Sequence, residues 1–104
     1  VSVSDFQSSE EALAAKGKVV AGLIKKKLKN DQDVKITGLK QAHIIITGRI
    51  FSVEDSLVIV AKIQNKKTGK ILPEKTKLPE KSNLKQNLDA FLKNIHKKIT
   101  SSGN

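Results

Sequence analysis

A chain of 104 residues has room for one small domain, residues 1–104, around one core. It contains no cysteine, which excludes a disulfide framework, a thiolate nucleophile and a cysteine-type zinc site. Lys and Arg number 20 against 10 Asp and Glu, a formal net charge of +10, and every one of those cations except Arg49 is a lysine. The arginine fork that reads phosphates and bases bidentately is therefore almost absent.

Phe6, Phe51 and Phe91 are the only aromatic residues, too few for the stacking platforms of single-stranded nucleic-acid binders. No apolar run approaches the roughly 20 residues of a membrane span. The chain opens at Val1, directly on a strand pattern and with no charged-then-apolar leader, as expected of a mature form trimmed of any targeting segment.

Val1 to Phe6 alternates apolar and polar residues, the period of a first strand. Ser8 and Glu11 then stand at the S-x-x-E spacing of a capping box. Behind them Leu13, Gly17, Val20, Ile24 and Leu28 recur every three or four residues, predicting a long helix that packs on a sheet and ends near Asn30 and Asp31. Its other face carries Lys18, Lys25, Lys26 and Lys29 with Ala14, Ala15 and Gly22. Gly22 costs such a helix about 1 kcal/mol relative to alanine, so it is either tolerated or marks the close approach of another chain.

Asp33 to Gly38 is a short strand candidate. Ile44 to Phe51 and Leu57 to Ile63 are the two strongest strand signals, and both are apolar at either parity, as in strands covered on two faces. Ser52 to Ser56 is the loop between them, and Asn65 to Gly69 is a second turn with glycine available for a left-handed position. Leu72-Pro73-Glu74-Lys75 and Leu78-Pro79-Glu80-Lys81 duplicate each other. Their prolines lack ladder donors, which places the segment at a sheet edge or in an extended connection. Ser82 or Asn83 can cap a final helix, whose stripe is Leu84, Leu88, Phe91, Leu92, Ile95 and Ile99. The sum is an α/β (α+β) fold: a mixed, mostly antiparallel sheet of four to five strands with two long helices, in the order β-α-β-β-β-β-α.

The candidate functional residues are cationic. Lys18, Lys25, Lys26 and Lys29 on the first helix form one group, and Lys66, Lys67 and Lys70, with Lys62, around the second hairpin form another; either suits phosphates, anionic lipid or an acidic polymer. Lysines near a helix C-terminus also match the macrodipole without any ligand, and consecutive lysines fan around the axis. His43 and His96 lack companions at ligand spacing, so no metal or cofactor is expected. Asp5, Glu54, Asp55 and Glu74 sit unpaired where strand ends and turns usually carry carboxylates, and no catalytic residue is assigned. If both helices cover one side of the sheet, Ile45, Phe51, Val58 and Val60 line the other; if helices cover both sides, that surface vanishes. A working surface is otherwise expected on the sheet edge or on the lysine-bearing helix.

The string from Ile44 through Thr47-Gly48-Arg49-Ile50, a short charged loop, and Leu57 to Leu72 with its Thr68-Gly69 turn resembles the bacterial envelope domains typified by FlgO, CsgG, LpoB and the amino-terminal domain of TolB. Val1 to Phe6 followed by a helix is similar to their first strand and helix. The stretch from Thr37 to His43 departs from the pattern, being too short for the additional helix these families place there, and the lysine excess is untypical of them. The resemblance implies a non-catalytic domain of a periplasmic or outer-membrane-associated protein, such as a lipoprotein, that binds protein partners during envelope or appendage assembly. An alternative of another class is a basic nucleic-acid-binding domain, because helix, three strands, helix is also the order of the double-stranded RNA-binding domain. That family's Lys-Lys-x-Ala-Lys helix start is replaced here by Ser82-Asn83-Leu84-Lys85-Gln86.

Overall fold

The computed structural model describes residues 1–32, 34–38, 40–81 and 83–102. Its elements are β1 (Ser2–Val3), α1 (Glu11–Lys29), β2 (Ile44–Val53), β3 (Ser56–Asn65), β4 (Ile71–Pro79), the single turn α2 (Leu84–Asn87) and α3 (Asp89–Ser102). The strands form one mixed sheet in the order β1-β2-β3-β4, with β1 parallel to β2 and the other pairs antiparallel. This is the α/β arrangement expected from the sequence.

Both long helices pack on the same face of the sheet. There α1 lies over β1 and β2, α3 lies over β3 and β4, and the two helices touch each other. The strand residues on that side, including Ile46, Ile50, Leu57, Ile59, Ile63 and Leu78, join Val20, Ile24, Leu28, Phe91 and Ile95 in one core. Burying each such large side chain contributes about 2 kcal/mol of hydrophobic stabilisation before entropy is counted.

Phe6 fixes the corner where β1, α1 and β2 meet. Its side chain is 1% exposed, and its amide donates to the Gly17 carbonyl at 3.3 Å. A Cβ on Gly17 would lie 2.0 Å from the Phe6 carbonyl oxygen, and one on Gly48 would lie 2.5 Å from the Phe6 ring. Two glycines, one in α1 and one in β2, therefore make the slot into which Phe6 fits.

The start of α1 departs from the capping-box expectation. Gln7 is drawn into the sheet, donating to Gly48 O at 3.0 Å and accepting from Ile50 N at 2.9 Å. The chain must then turn before it can coil, so the helix begins at Glu11 with Glu10 as its N-cap. Ser8 Oγ instead accepts the Glu10 amide at 3.1 Å, a local serine turn.

Two other boundaries differ from the sequence reading. The strand candidate over 33–38 does not form a strand among its described residues; it runs beside the start of the chain, where the Val1 amino group donates to Lys35 O and Thr37 N donates to Val1 O, each at 2.8 Å. The final helix is capped by Asn83, whose Oδ1 accepts from Lys85 N and Gln86 N. Leu88, at φ −99° and ψ 4°, interrupts it between α2 and α3. Hydrogen bonds from Leu88 N to Leu84 O and from Leu92 N to Leu88 O carry the coil across that interruption. Ser82, the other proposed cap, lies outside the described residues.

The two hairpins differ in chemistry. Glu54 and Asp55 alone link β2 to β3, since Val53 pairs with Ser56, and Glu54 adopts φ +54°. The β3–β4 turn is organised by Asn65, whose Oδ1 accepts from Lys67 N at 2.9 Å and Thr68 N at 3.3 Å, and by Gly69 at φ +75°. β4 is the far edge strand, as its prolines require. On its inner face Glu74 pairs with Lys98 of α3 at 2.7 Å, and Lys98 Nζ also reaches Pro73 O at 2.6 Å.

Candidate interaction surfaces

Among the described residues, no helix covers the other face of the sheet. The pairing register lays its side chains in rows: Ile45–Gln64–Ile71, Thr47–Lys62–Pro73, Arg49–Val60–Lys75, Phe51–Val58–Lys77 and Val53–Ser56–Pro79. Phe51, Val53 and Ile71 are 40%, 43% and 49% exposed, large values for apolar side chains in strand interiors and ends. Val58, in the middle strand between Phe51 and Lys77, is only 4% exposed, and Ile45 and Val60 are half-buried. The strands read as covered on both faces are thus covered on one. Of the two arrangements open to the sequence, the structure has the one in which Ile45, Phe51, Val58 and Val60 lie on the side without helices, with Phe51 the exposed member of the four.

Charge on this face has one sign. Arg49, Lys62, Lys75 and Lys77 interleave with the apolar positions, and none of the face's positions in β2, β3 or β4 is a carboxylate. Asp5 stands at the β1 border, beside Thr47, Arg49 and Lys62 in a shallow depression of about 520 Å³. A second copy laid face to face would bring these cations together, which the Coulomb term opposes.

Lys25, Lys26 and Lys29 of α1 and Lys66, Lys67 and Lys70 of the β3–β4 turn gather at one end of the molecule. α1 runs against the direction of β2, so its last turns reach the same end as the β3–β4 turn; Asp31, Gln32, Val34 and Lys35 line one cleft with Asn65 and Lys67. Lys26 and Lys29 of α1 and Lys66, Lys67 and Lys70 of the turn are exposed, and Lys25 is partly covered. Lys18, a further two turns back along α1, points to solvent away from this end.

That cleft has a volume of about 610 Å³ and is walled by Thr37, Gln41, His43, Ile99 and Thr100 as well. The Val1 amino group lies in it, and burial pushes its pKa below the usual value for a chain amine. The Thr37 hydroxyl is buried nearby and has no hydrogen-bond partner among the described residues.

Two titratable pairs, His96–Asp31 and Lys98–Glu74, tie separate elements together. His96 Nε2 lies 2.7 Å from Asp31 Oδ2, tying α3 to the segment after α1. This contact spans 65 positions, so no local spacing announces it. The Lys98–Glu74 pair was invisible for the same reason. His43 is exposed, and its carbonyl accepts Lys66 N at 2.8 Å. Glu54 and Asp55 occupy the hairpin loop, far from Glu74. Among the described residues no three His, Asp or Glu side chains gather to hold a metal ion, and no helix is long and apolar enough to cross a membrane.

No protein-family model, curated protein or solved structure matches this chain.

Proposed function

We propose that this chain is a non-catalytic protein-recognition domain that acts in assembly at the bacterial envelope, in the periplasm or at the outer membrane. The observation that carries the reading is the bare sheet face around Phe51, Val58 and Val60. Sheets in small two-layer domains usually solvate their open face with polar side chains; here the row Phe51–Val58–Lys77 and its neighbour Val53 leave Phe51 and Val53 exposed where a partner's side chains would remove them from water. Arg49, Lys62, Lys75 and Lys77 around that row favour a partner that presents carboxylates beside its apolar contacts. The localisation rests on the envelope-domain resemblance of the same strands.

The test is a photo-reactive residue placed at position 51 and, as a control, at position 18 in the protein expressed in its native cells. The reading expects protease-sensitive adducts of defined mass from position 51 that are absent from position 18. Adducts destroyed by ribonuclease, or an equal yield from both positions, refute it.

A second reading has one structural observation in its favour: α1, β2, β3, β4 and α3 follow the chain order of a double-stranded RNA-binding domain, with both helices on one sheet face. The start of the final helix, Asn83-Leu84-Lys85-Gln86, still lacks that family's basic cluster. Binding to duplex RNA that survives about 0.15 M salt would establish this second reading; binding that collapses steeply with salt would report only the lysines.

A further inference from the structure

From the charge layout we infer that the lysine-rich end of the molecule is a docking surface for a bilayer containing acidic phospholipid, so that the domain stands end-on to an anionic membrane. The two ends differ sharply in composition. One collects Lys25, Lys26, Lys27 and Lys29 from the end of α1, and Lys66, Lys67 and Lys70 from the β3–β4 turn, with Lys97 at the end of α3. Asp31, the carboxylate described there, is already engaged with His96. The other end collects the N-termini of α1 and α3 and the β2–β3 turn, with Glu10, Glu11, Glu54, Asp55, Glu80 and Asp89, balanced by lysines such as Lys81, Lys85 and Lys93. Ten-residue strands hold the two ends about 30 Å apart, several Debye lengths in physiological salt. The excess charge of the chain is therefore concentrated at one end instead of being spread for solubility.

The chemistry of that end favours headgroups over nucleic acid. Its cations are all lysines, point charges on flexible stems that suit a fluid array of phosphates and lack the fork that reads a fixed one. It offers no Phe, Tyr or Trp for base stacking, only the His43 imidazole, since Phe6 and Phe91 are in the core and Phe51 lies toward the opposite end of β2. Nor does it present an apolar helix face for insertion, because the apolar sides of α1 and α3 are turned onto the sheet. The association is electrostatic, superficial and reversible. It uses a different surface from the sheet face and stands whether or not that face binds protein.

The test measures co-sedimentation with phosphatidylcholine vesicles, plain or with phosphatidylglycerol as one third of the lipid, at about 0.05 M and about 0.15 M salt. Each lysine near an anionic leaflet strengthens binding about five-fold. The combined variant Lys26→Gln, Lys29→Gln and Lys67→Gln is expected to lose on the order of 100-fold. Lys81→Gln, Lys85→Gln and Lys93→Gln, which lowers the net charge equally at the other end, is expected to lose less than about five-fold. All six side chains are exposed, and circular dichroism verifies folding of both variants. Independently, spin-labelled lipid in the anionic vesicles should broaden the amide signals of Lys29 and Lys67 and spare those of Glu54 and Asp89. Equal losses in the two variants, equal binding to plain vesicles, no binding to anionic vesicles at the lower salt, or broadening at the wrong end each overturn the inference. So does displacement from the vesicles by duplex RNA at matched phosphate concentration, which would assign the lysine end to nucleic acid.

Discussion

Alanine at position 17 and alanine at position 22, five residues apart in the same helix, should have opposite effects on stability. At Gly17 the new Cβ would sit 2.0 Å from Phe6 O, whereas ordinary contact begins near 3.4 Å, so one of the two backbones must retreat by more than 1 Å. Phe6 cannot retreat easily: its ring abuts Gly48, and the next residue is bonded on both sides to β2. Overpacking of this kind costs about 1–3 kcal/mol, and separating Phe6 N from Gly17 O forfeits about 1 kcal/mol more. The higher helix propensity of alanine returns about 1 kcal/mol, leaving a net loss of about 1–3 kcal/mol. At Gly22 nothing lies within 4 Å of the added Cβ, so only the propensity term remains and the variant should gain about 1 kcal/mol. Urea denaturation followed by circular dichroism measures both, with an unchanged m-value as the check that the denatured state is the same. A Gly17→Ala protein as stable as the parent would refute the slot around Phe6. A Gly22→Ala protein that is less stable would show that α1 packs in a different rotation.

The two hairpins give further tests. Glu54→Gly removes the left-handed strain of an L-residue, worth about 1–2 kcal/mol, at an entropic cost of about 0.4–1 kcal/mol; thermal unfolding should show a net gain of up to about 1.6 kcal/mol, and a loss would mean that the loop conformation is wrong. Asn65→Ala strips the acceptor from Lys67 N and Thr68 N in a side chain only 5% exposed and should cost about 1–2 kcal/mol. Asn65→Asp, which keeps the acceptor, should cost less by the same measurement.

The strands of the meander and the stripes of the two long helices were legible because each is written locally, in a period of two or between three and four. What escaped was set by contacts between distant positions. The capping box at Ser8 and Glu11 is chemically sound, but the sheet claims Gln7 first and delays the helix. Asp33 to Gly38 has strand residues; its described part only flanks Val1. The parity of Ile44–Ile46 and Leu57–Ala61 suggested cover on both faces, but helices lie on one only; on the other, Ile45 and Val60 are half-buried and Val58 is buried without a helix above them. Sequence alone named Ile45, Phe51, Val58 and Val60 for such a face; of these Phe51 is exposed, Val53 and Ile71 supply its other exposed apolar side chains, and the placement of α3 was needed to show that the face is open. It also found the lysine groups of α1 and the second turn, whereas only topology brings them to one end.

The borders of the sheet limit how an encounter can occur. Strand exchange and fibril growth need a straight run of unpaired amides, and neither border supplies one. On one side β1 is two residues long, and the adjoining Val1 is already bonded to 35–37. On the other, Pro73 and Pro79 have no amide to donate, and Lys75 and Lys77 repel a second copy. The domain can therefore carry an apolar face at high local concentration without polymerising through its edges, and any visitor to the sheet must arrive from above it.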